Sequence, residues 1–134
     1  HIQTSTTQFL EKIDKKVSNF NHVIFHMPNA KFPLKVAKRL KVSASQLETG
    51  LTVRFIGNSY SASSLLGLAR VLLNSTKGQE ILLTSYGSGS GSDSFWLTKT
   101  KDNLKKDIKH LEKQLEQNIP LSYVDYLKNM EILK

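Results

Sequence analysis

The sequence predicts an α/β protein built in layers around an interior helix. Three observations carry that prediction. Stretches with helical periodicity alternate with short β-prone stretches, in the order helix, strand, helix, strand, helix, strand, strand, helices; such alternation layers helices on a sheet. The stretch LLGLARVLL sets Leu65, Leu66, Leu68, Ala69, Leu72 and Leu73 around most of a helix circumference, with Arg70 its only charge, and a helix apolar on all sides belongs inside a molecule. The runs ILLTSY and SFWLT bracket a Gly/Ser tract, as the strands of a hairpin bracket its turn.

Taken in order, residues 6–20 place Phe9, Ile13 and Val17 four apart with Leu10 beside them, which predicts a one-sided helix ended by Asn19 and Asn21. HVIFH, residues 22–26, is a short apolar run between polar breaks, hence a buried strand. Met27-Pro28-Asn29 turns the chain. Residues 30–41 form a second helix with Pro33 in its first turn. Its stripe is Phe32, Val36, Ala37 and Leu40, and Lys31, Lys35, Lys38 and Arg39 occupy another face. Residues 43–50 read as a short polar helix or turn, and residues 51–56, LTVRFI, as an extended segment. The interior helix covers 61–74. Strands at 81–86 and 95–98 close a hairpin, so GSGSGS is a turn rather than a tether; Asp93 also breaks simple linker repetition. A charged helix at 102–117 carries Leu104, Ile108, Leu111 and Leu115, Pro120 interrupts, and residues 121–133 make a last short helix. The organisation expected is one unit over 1–98 and a helical extension over 99–134.

Composition bounds the function. A chain of 134 residues is one domain or a piece of a larger protein. No apolar run approaches the roughly 18 residues a membrane helix needs, and the start has neither a signal-peptide layout nor an initiator Met, which leaves room for residues upstream. With no cysteine, the chain itself holds no disulfide, zinc thiolate or cysteine nucleophile; a reducing, cytoplasmic setting is compatible with that. The net charge of +8 invites a polyanion. It gathers at Lys31, Lys35, Lys38, Arg39 and Lys41, and again at Lys99, Lys101, Lys105, Lys106, Lys109 and Lys113 among acidic residues. Blocks of lysine mostly solvate a helix face. No nucleic-acid motif or aromatic platform accompanies them, so neither nucleic acid nor a membrane is expected as partner.

Two junctions could carry chemistry. His26 ends a buried strand, where open α/β sheets hold their ligands; taken alone it could equally be a surface turn residue. Gly57-Asn58-Ser59 offers a permissive backbone and an amide donor, or simply a helix cap. Together they say more: an imidazole N–H and an amide N–H aimed at one oxygen would stabilise developing negative charge, with the Gly/Ser turn as a third wall. Other chemistries fail. GSGSGS lacks the lysine of a P-loop, its hairpin setting is wrong for a dinucleotide fingerprint or a nucleophile elbow, and no His/Asp/Glu set has metal spacing.

FHMPNAKFPLKVAKRL, IGNSYSASSLLGLA and ILLTSYGSGSGSDSF, in that order, resemble the C-terminal half of hydroxymethylglutaryl-CoA synthases of archaeal type, members of the thiolase superfamily. The resemblance runs over residues 1–98 and weakens afterwards. It implies a five-layer fold of two similar halves, with a mixed sheet and an interior helix in each. It also implies a reaction. A cysteine is acetylated by acetyl-CoA, a glutamate removes a methyl proton, the carbanion adds to acetoacetyl-CoA, and water releases hydroxymethylglutaryl-CoA, a step of the mevalonate route. Covalent catalysis of this kind divides one hard step into easier ones. In that scheme His26 resembles the histidine that polarises acetoacetyl-CoA, and Asn58 the amide near the reacting centre. Lys31 and, less closely, Lys35 resemble lysines at the CoA entrance, Ser88 the glycine-flanked serine beside the substrate, and Tyr60 a pocket wall. CoA thioesters enter as substrates; no resident cofactor or metal is implied.

The cysteine and glutamate belong to the family's N-terminal half, so the resemblance requires that half, or a partner chain, to complete the site. It implies a homo- or hetero-oligomer, and archaeal members are associated with a thiolase and an OB-fold protein. Two other readings stay open. One is a non-catalytic, thiolase-like scaffold subunit. The other is a condensing enzyme like ketoacyl-carrier-protein synthase III, whose expected GNTSAAS differs from the GNSYSAS found here at Tyr60.

Overall fold

A computed structural model describes residues 1–102, 105–117 and 121–132. Its elements are α1 (Ile2–Lys12), β1 (His22–Phe25), α2 (Lys31–Leu40), α3 (Ala44–Glu48), α4 (Val53–Ile56), α5 (Ser63–Asn74), β2 (Glu80–Thr84), β3 (Ser94–Thr98), α6 (Lys105–Glu116) and α7 (Tyr123–Asn129). The strands form one mixed sheet in the order β1-β2-β3. β1 runs parallel to β2, with His22 opposite Ile81 and Phe25 opposite Thr84. β2 and β3 are antiparallel, with Glu80 opposite Thr98.

Side chains of a strand alternate between faces, and here both faces are covered. Val23, Phe25 and Leu82 join Leu10 of α1, Val36 and Ala37 of α2 and Leu47 of α3 in one core. Ile24, Ile81 and Leu83 face the other way, onto Met27, Leu51, Val53 and Val71. Two-sided burial explains why β1 and β2 are continuous apolar runs rather than alternating ones. The α/β reading of the sequence therefore stands, with three strands among the described residues instead of four.

The segment 51–56 is the correction. Leu51 and Val53 are buried, but Arg54, Phe55 and Ile56 are exposed. No strand lies alongside to pair with it among the described residues. Its N–H groups bond locally instead, from Phe55 and Ile56 to the Thr52 carbonyl and from Gly57 to that of Val53. A helical turn satisfies the backbone where a β-prone composition has no ladder to join. The first helix also stops early. Asp14 adopts a left-handed φ of 51°, and Asn19 Oδ1 accepts the Lys16 N–H at 2.7 Å, which sets a separate turn at Val17–Asn19. The Gly/Ser tract is a shaped turn, closed by Ser85 N–H to Asp93 O at 2.9 Å and Gly87 N–H to Gly91 O at 2.9 Å.

Helix α5 is not buried all round within this chain. It turns Ser63, Ser64, Gly67 and Val71 to the sheet, while Leu65 is 61% exposed and Leu66 is 38% exposed. α6 covers part of its flank: Arg70 Nε and Nη2 grip the two Glu112 oxygens at 3.0 and 2.9 Å, and that hydrogen-bonded guanidinium holds Glu112 below its ordinary pKa. Leu115 is buried. The expectations placed on Leu104, Pro120 and Leu133 lie outside the described residues.

What brings α5 so near the sheet is Gly67. A Cβ there would meet the Gly50 carbonyl oxygen at 2.6 Å, Met27 Cε at 2.9 Å and Ile24 Cγ2 at 3.1 Å. Gly67→Ala gains about 1 kcal/mol of helix propensity but overpacks by more, commonly about 1–3 kcal/mol. A net loss of stability is expected in urea unfolding. A net gain would show that α5 moves off the sheet freely.

Candidate active site

The site forms where the parallel strands end. The His26 backbone N–H still bonds the Thr84 carbonyl at 2.9 Å, so the ladder fixes this residue one step past β1. From there the imidazole sits outside the carboxyl ends of the strands, the usual ligand position in open α/β sheets. His26 is only 8% exposed. Its Nδ1 is 3.1 Å from Ser63 Oγ, and its ring centroid is 5.7 Å from that of Tyr86, tilted by 53°. Burial without a compensating charge lowers its pKa below the ordinary 6.5, so the neutral ring prevails at neutral pH.

Asn58 arrives from a different direction than the sequence suggested. It follows the short helix α4, not a strand, through Gly57 at φ 70° and ψ −160°. This is a backbone geometry that side chains resist and glycine accepts. Asn58 Oδ1 accepts the Tyr60 N–H at 2.8 Å, and Tyr60 itself has φ 52°. The asparagine thus holds a left-handed residue in place with its oxygen, and its NH₂ remains as the group it can offer a ligand.

His26, Asn58, Tyr60 and Ser88 line one cleft of about 190 Å³, together with Pro28, Ser61, Tyr86 and Gly87. Four of the six residues singled out in the sequence therefore meet. Lys31 and Lys35 do not line it. Both are exposed on α2, and Lys35 borders a separate cleft with His1, Phe32 and Arg39. An adjoining hollow of about 560 Å³ runs between Ser61, Ser64 and Leu65 and the Gly/Ser turn. Ser63 and Tyr86 fall inside the motifs that carry the resemblance, but the sequence assigns them no role. A serine at the first position of a helix reads as a cap, and nothing local says that it reaches back across the fold to a histidine. Among the described residues no cluster of three or more His, Asp or Glu gathers as a metal site, and no helix is long and apolar enough to cross a membrane.

The family described as 3-oxoacyl-[acyl-carrier-protein (ACP)] synthase III C terminal matches residues 10–98. The chain belongs to that family, a thiolase-like domain. Its curated relatives name a chemistry. It is similar to the hydroxymethylglutaryl-CoA synthase of Archaeoglobus fulgidus, 42% identical over 136 residues covering 100% of this chain and 39% of the relative. That of Aeropyrum pernix is 41% identical, over 96% of this chain and 36% of the relative. The fold superposes on a crystal structure of HMG-CoA synthase complexed with CoA, with a TM-score of 0.72 at 28% identity, covering 95% of this chain and 36% of that one. The chain thus spans about 39% of the length of such relatives, matching their C-terminal part, and the α/β thiolase-like C-terminal half expected from the motifs is the fold observed.

The lowered pKa of His26 has a checkable sign. As pH falls below 6.5, the unfolded chain takes up this proton before the folded one. Stability is lost between the ordinary value and the lowered one. NMR titration of the imidazole is expected to give a midpoint below 6.5; a midpoint above it would require an anion beside the ring.

Proposed function

We propose that this chain is the part of a hydroxymethylglutaryl-CoA synthase that binds and polarises the electrophile, joining acetyl-CoA to acetoacetyl-CoA in the mevalonate route. The observation that carries the reading is the meeting of His26 and Asn58 on one cleft beyond the strand ends, in a chain whose relatives are such synthases. The cysteine that takes the acetyl group and the glutamate that removes its methyl proton come from the remainder of the protein or from a partner chain; this chain has no cysteine.

The chemistry then divides by charge. When the acetyl carbanion adds to the ketone of acetoacetyl-CoA, the C=O electron pair moves onto oxygen. A neutral His26 N–H and the Asn58 NH₂ stabilise that oxyanion as it forms, which is where fixed donors act most strongly. The oxygen is then protonated to the tertiary alcohol, and water cleaves the enzyme thioester. Tyr60 and Ser88 wall the acyl end. Lys31 and Lys35 serve the CoA phosphates farther out, as point charges suited to them. The apolar strip at Leu65, Leu66 and Phe95, exposed in this chain, is where the other half of the fold rests. The complete protein works as an oligomer in the cytoplasm, with no metal or resident cofactor in this part of the site.

Two substitutions in the complete protein test this. His26→Ala is expected to slow condensation by about 10²–10³, the cost of one oxyanion donor, while acetyl-enzyme formation proceeds. Equal loss in both half-reactions contradicts the role, and undiminished activity points to a scaffold subunit. Lys31→Ala is expected to raise the KM for the CoA ester by roughly 2- to 5-fold, as an exposed charge contact allows. An unchanged KM removes Lys31 from the CoA path.

A further inference from the structure

We propose that Ser63 is a positioning residue that sets which nitrogen of His26 carries the proton; the inference deepens the reading above and rests on it for its catalytic consequence. Ser63 is 1% exposed, at the start of α5. Its hydroxyl has two neighbours: the Met27 backbone N–H points at Oγ from 3.2 Å, and His26 Nδ1 lies 3.1 Å away.

The proton inventory decides the arrangement. The Met27 N–H can only donate, so Ser63 Oγ accepts there. The hydroxyl proton then needs an acceptor, and Nδ1 is the one beside it. If Nδ1 carried the hydrogen, it too would donate to Oγ, and the serine proton would be left buried with nowhere to go, an outcome folded proteins avoid. Only one distribution satisfies every group: Ser63 O–H donates to an unprotonated Nδ1, and the ring hydrogen sits on Nε2. Ser63 does not border the cleft, whereas His26 does, so the imidazole edge left for a ligand is the Nε2 side.

The consequence is a division of labour. With hydrogen on Nε2, neutral His26 presents a donor to the cleft. It stabilises negative charge on a carbonyl oxygen but cannot abstract a proton at that position. The base must lie elsewhere. Ser63 accomplishes this at the same point where α5 meets the end of β1, so the register of the helix against the sheet also sets the protonation of the ring.

The test uses the complete protein with isotope-labelled histidine and a long-range proton–nitrogen correlation spectrum, with His26 identified by its loss in His26→Gln. The wild type is expected to show the Nε2–H form. In Ser63→Ala the ring is expected to shift to a mixture of tautomers, and Ser63→Thr, which keeps the hydroxyl, to preserve it. Condensation should fall about tenfold or more in Ser63→Ala, the scale of one lost hydrogen bond in the reacting state. Acetyl-enzyme formation should be unchanged and Ser63→Thr largely recovered. An Nδ1–H ring in the wild type, or an unaltered ring in Ser63→Ala, overturns the assignment. Should Ser63→Ala not fold, the wild-type spectrum and Ser63→Thr still decide it. If the tautomers behave as described while the wild type fails to condense, the functional reading falls and the assignment to Ser63 stands.

Discussion

Helix α5 approaches the sheet as closely as backbone permits. Gly67 lies where even a methyl group would collide with the Gly50 carbonyl and with Ile24 and Met27. The site depends on that approach. Because α5 lies so near β1, its first residue reaches His26 and the Met27 N–H. The loop that precedes it carries Asn58 to the same cleft. A larger residue at 67 would lift the helix and draw Ser63 and the asparagine loop away together. One packing contact thus sets the spacing of two candidate site residues, His26 and Asn58, that are far apart in sequence.

The opposite face has its own clamp, made of hydroxyls. Thr6 of α1 and Thr84 of β2 share a hydrogen bond at 2.9 Å, Thr84 reaches Ser94 at 2.9 Å, and Ser5 bonds both Ser94 at 3.1 Å and the Ser92 carbonyl at 2.9 Å. Thr6 and Thr84 are fully buried, where unpaired hydroxyls would be costly. Chained together, they tie the first helix to both ends of the Gly/Ser turn. That turn borders the cleft through Gly87 and Ser88, so its shape is fixed from behind by a helix that never touches the cleft itself.

Much of this is legible in the sequence. Ile24, Leu82 and their neighbours are apolar without a break because β1 and β2 are buried on both faces, and a run of that kind announces itself. Helices α2, α5 and α6 follow from spacing alone. His26 and Asn58 were legible as a pair because each stands at a break between elements. The segment 51–56 misleads because Val53, Phe55 and Ile56 suit a strand, whereas its backbone closes its hydrogen bonds locally and pairs with none of the described strands. Gly67 and Ser63 were silent for a related reason. Their meaning is a distance to residues 17 to 43 positions away, and no local pattern encodes a distance. The lysines are the reverse case. Resemblance puts Lys31 near the ligand, but on the folded chain it stands outside the cleft that the other residues share.

Asn58 shows how tightly backbone and chemistry are joined here. Its amide oxygen restrains Tyr60 in a left-handed turn, while the nitrogen of the same amide is the donor that the proposed function assigns to the ligand oxygen. Few side chains can do both. Aspartate keeps the restraint and forfeits the donor; glutamine carries both groups a carbon too far; alanine releases the turn and removes the donor at once. The turn and the donor it carries therefore vary together or not at all, and a tyrosine held in an uncomfortable conformation is what ties them to one residue.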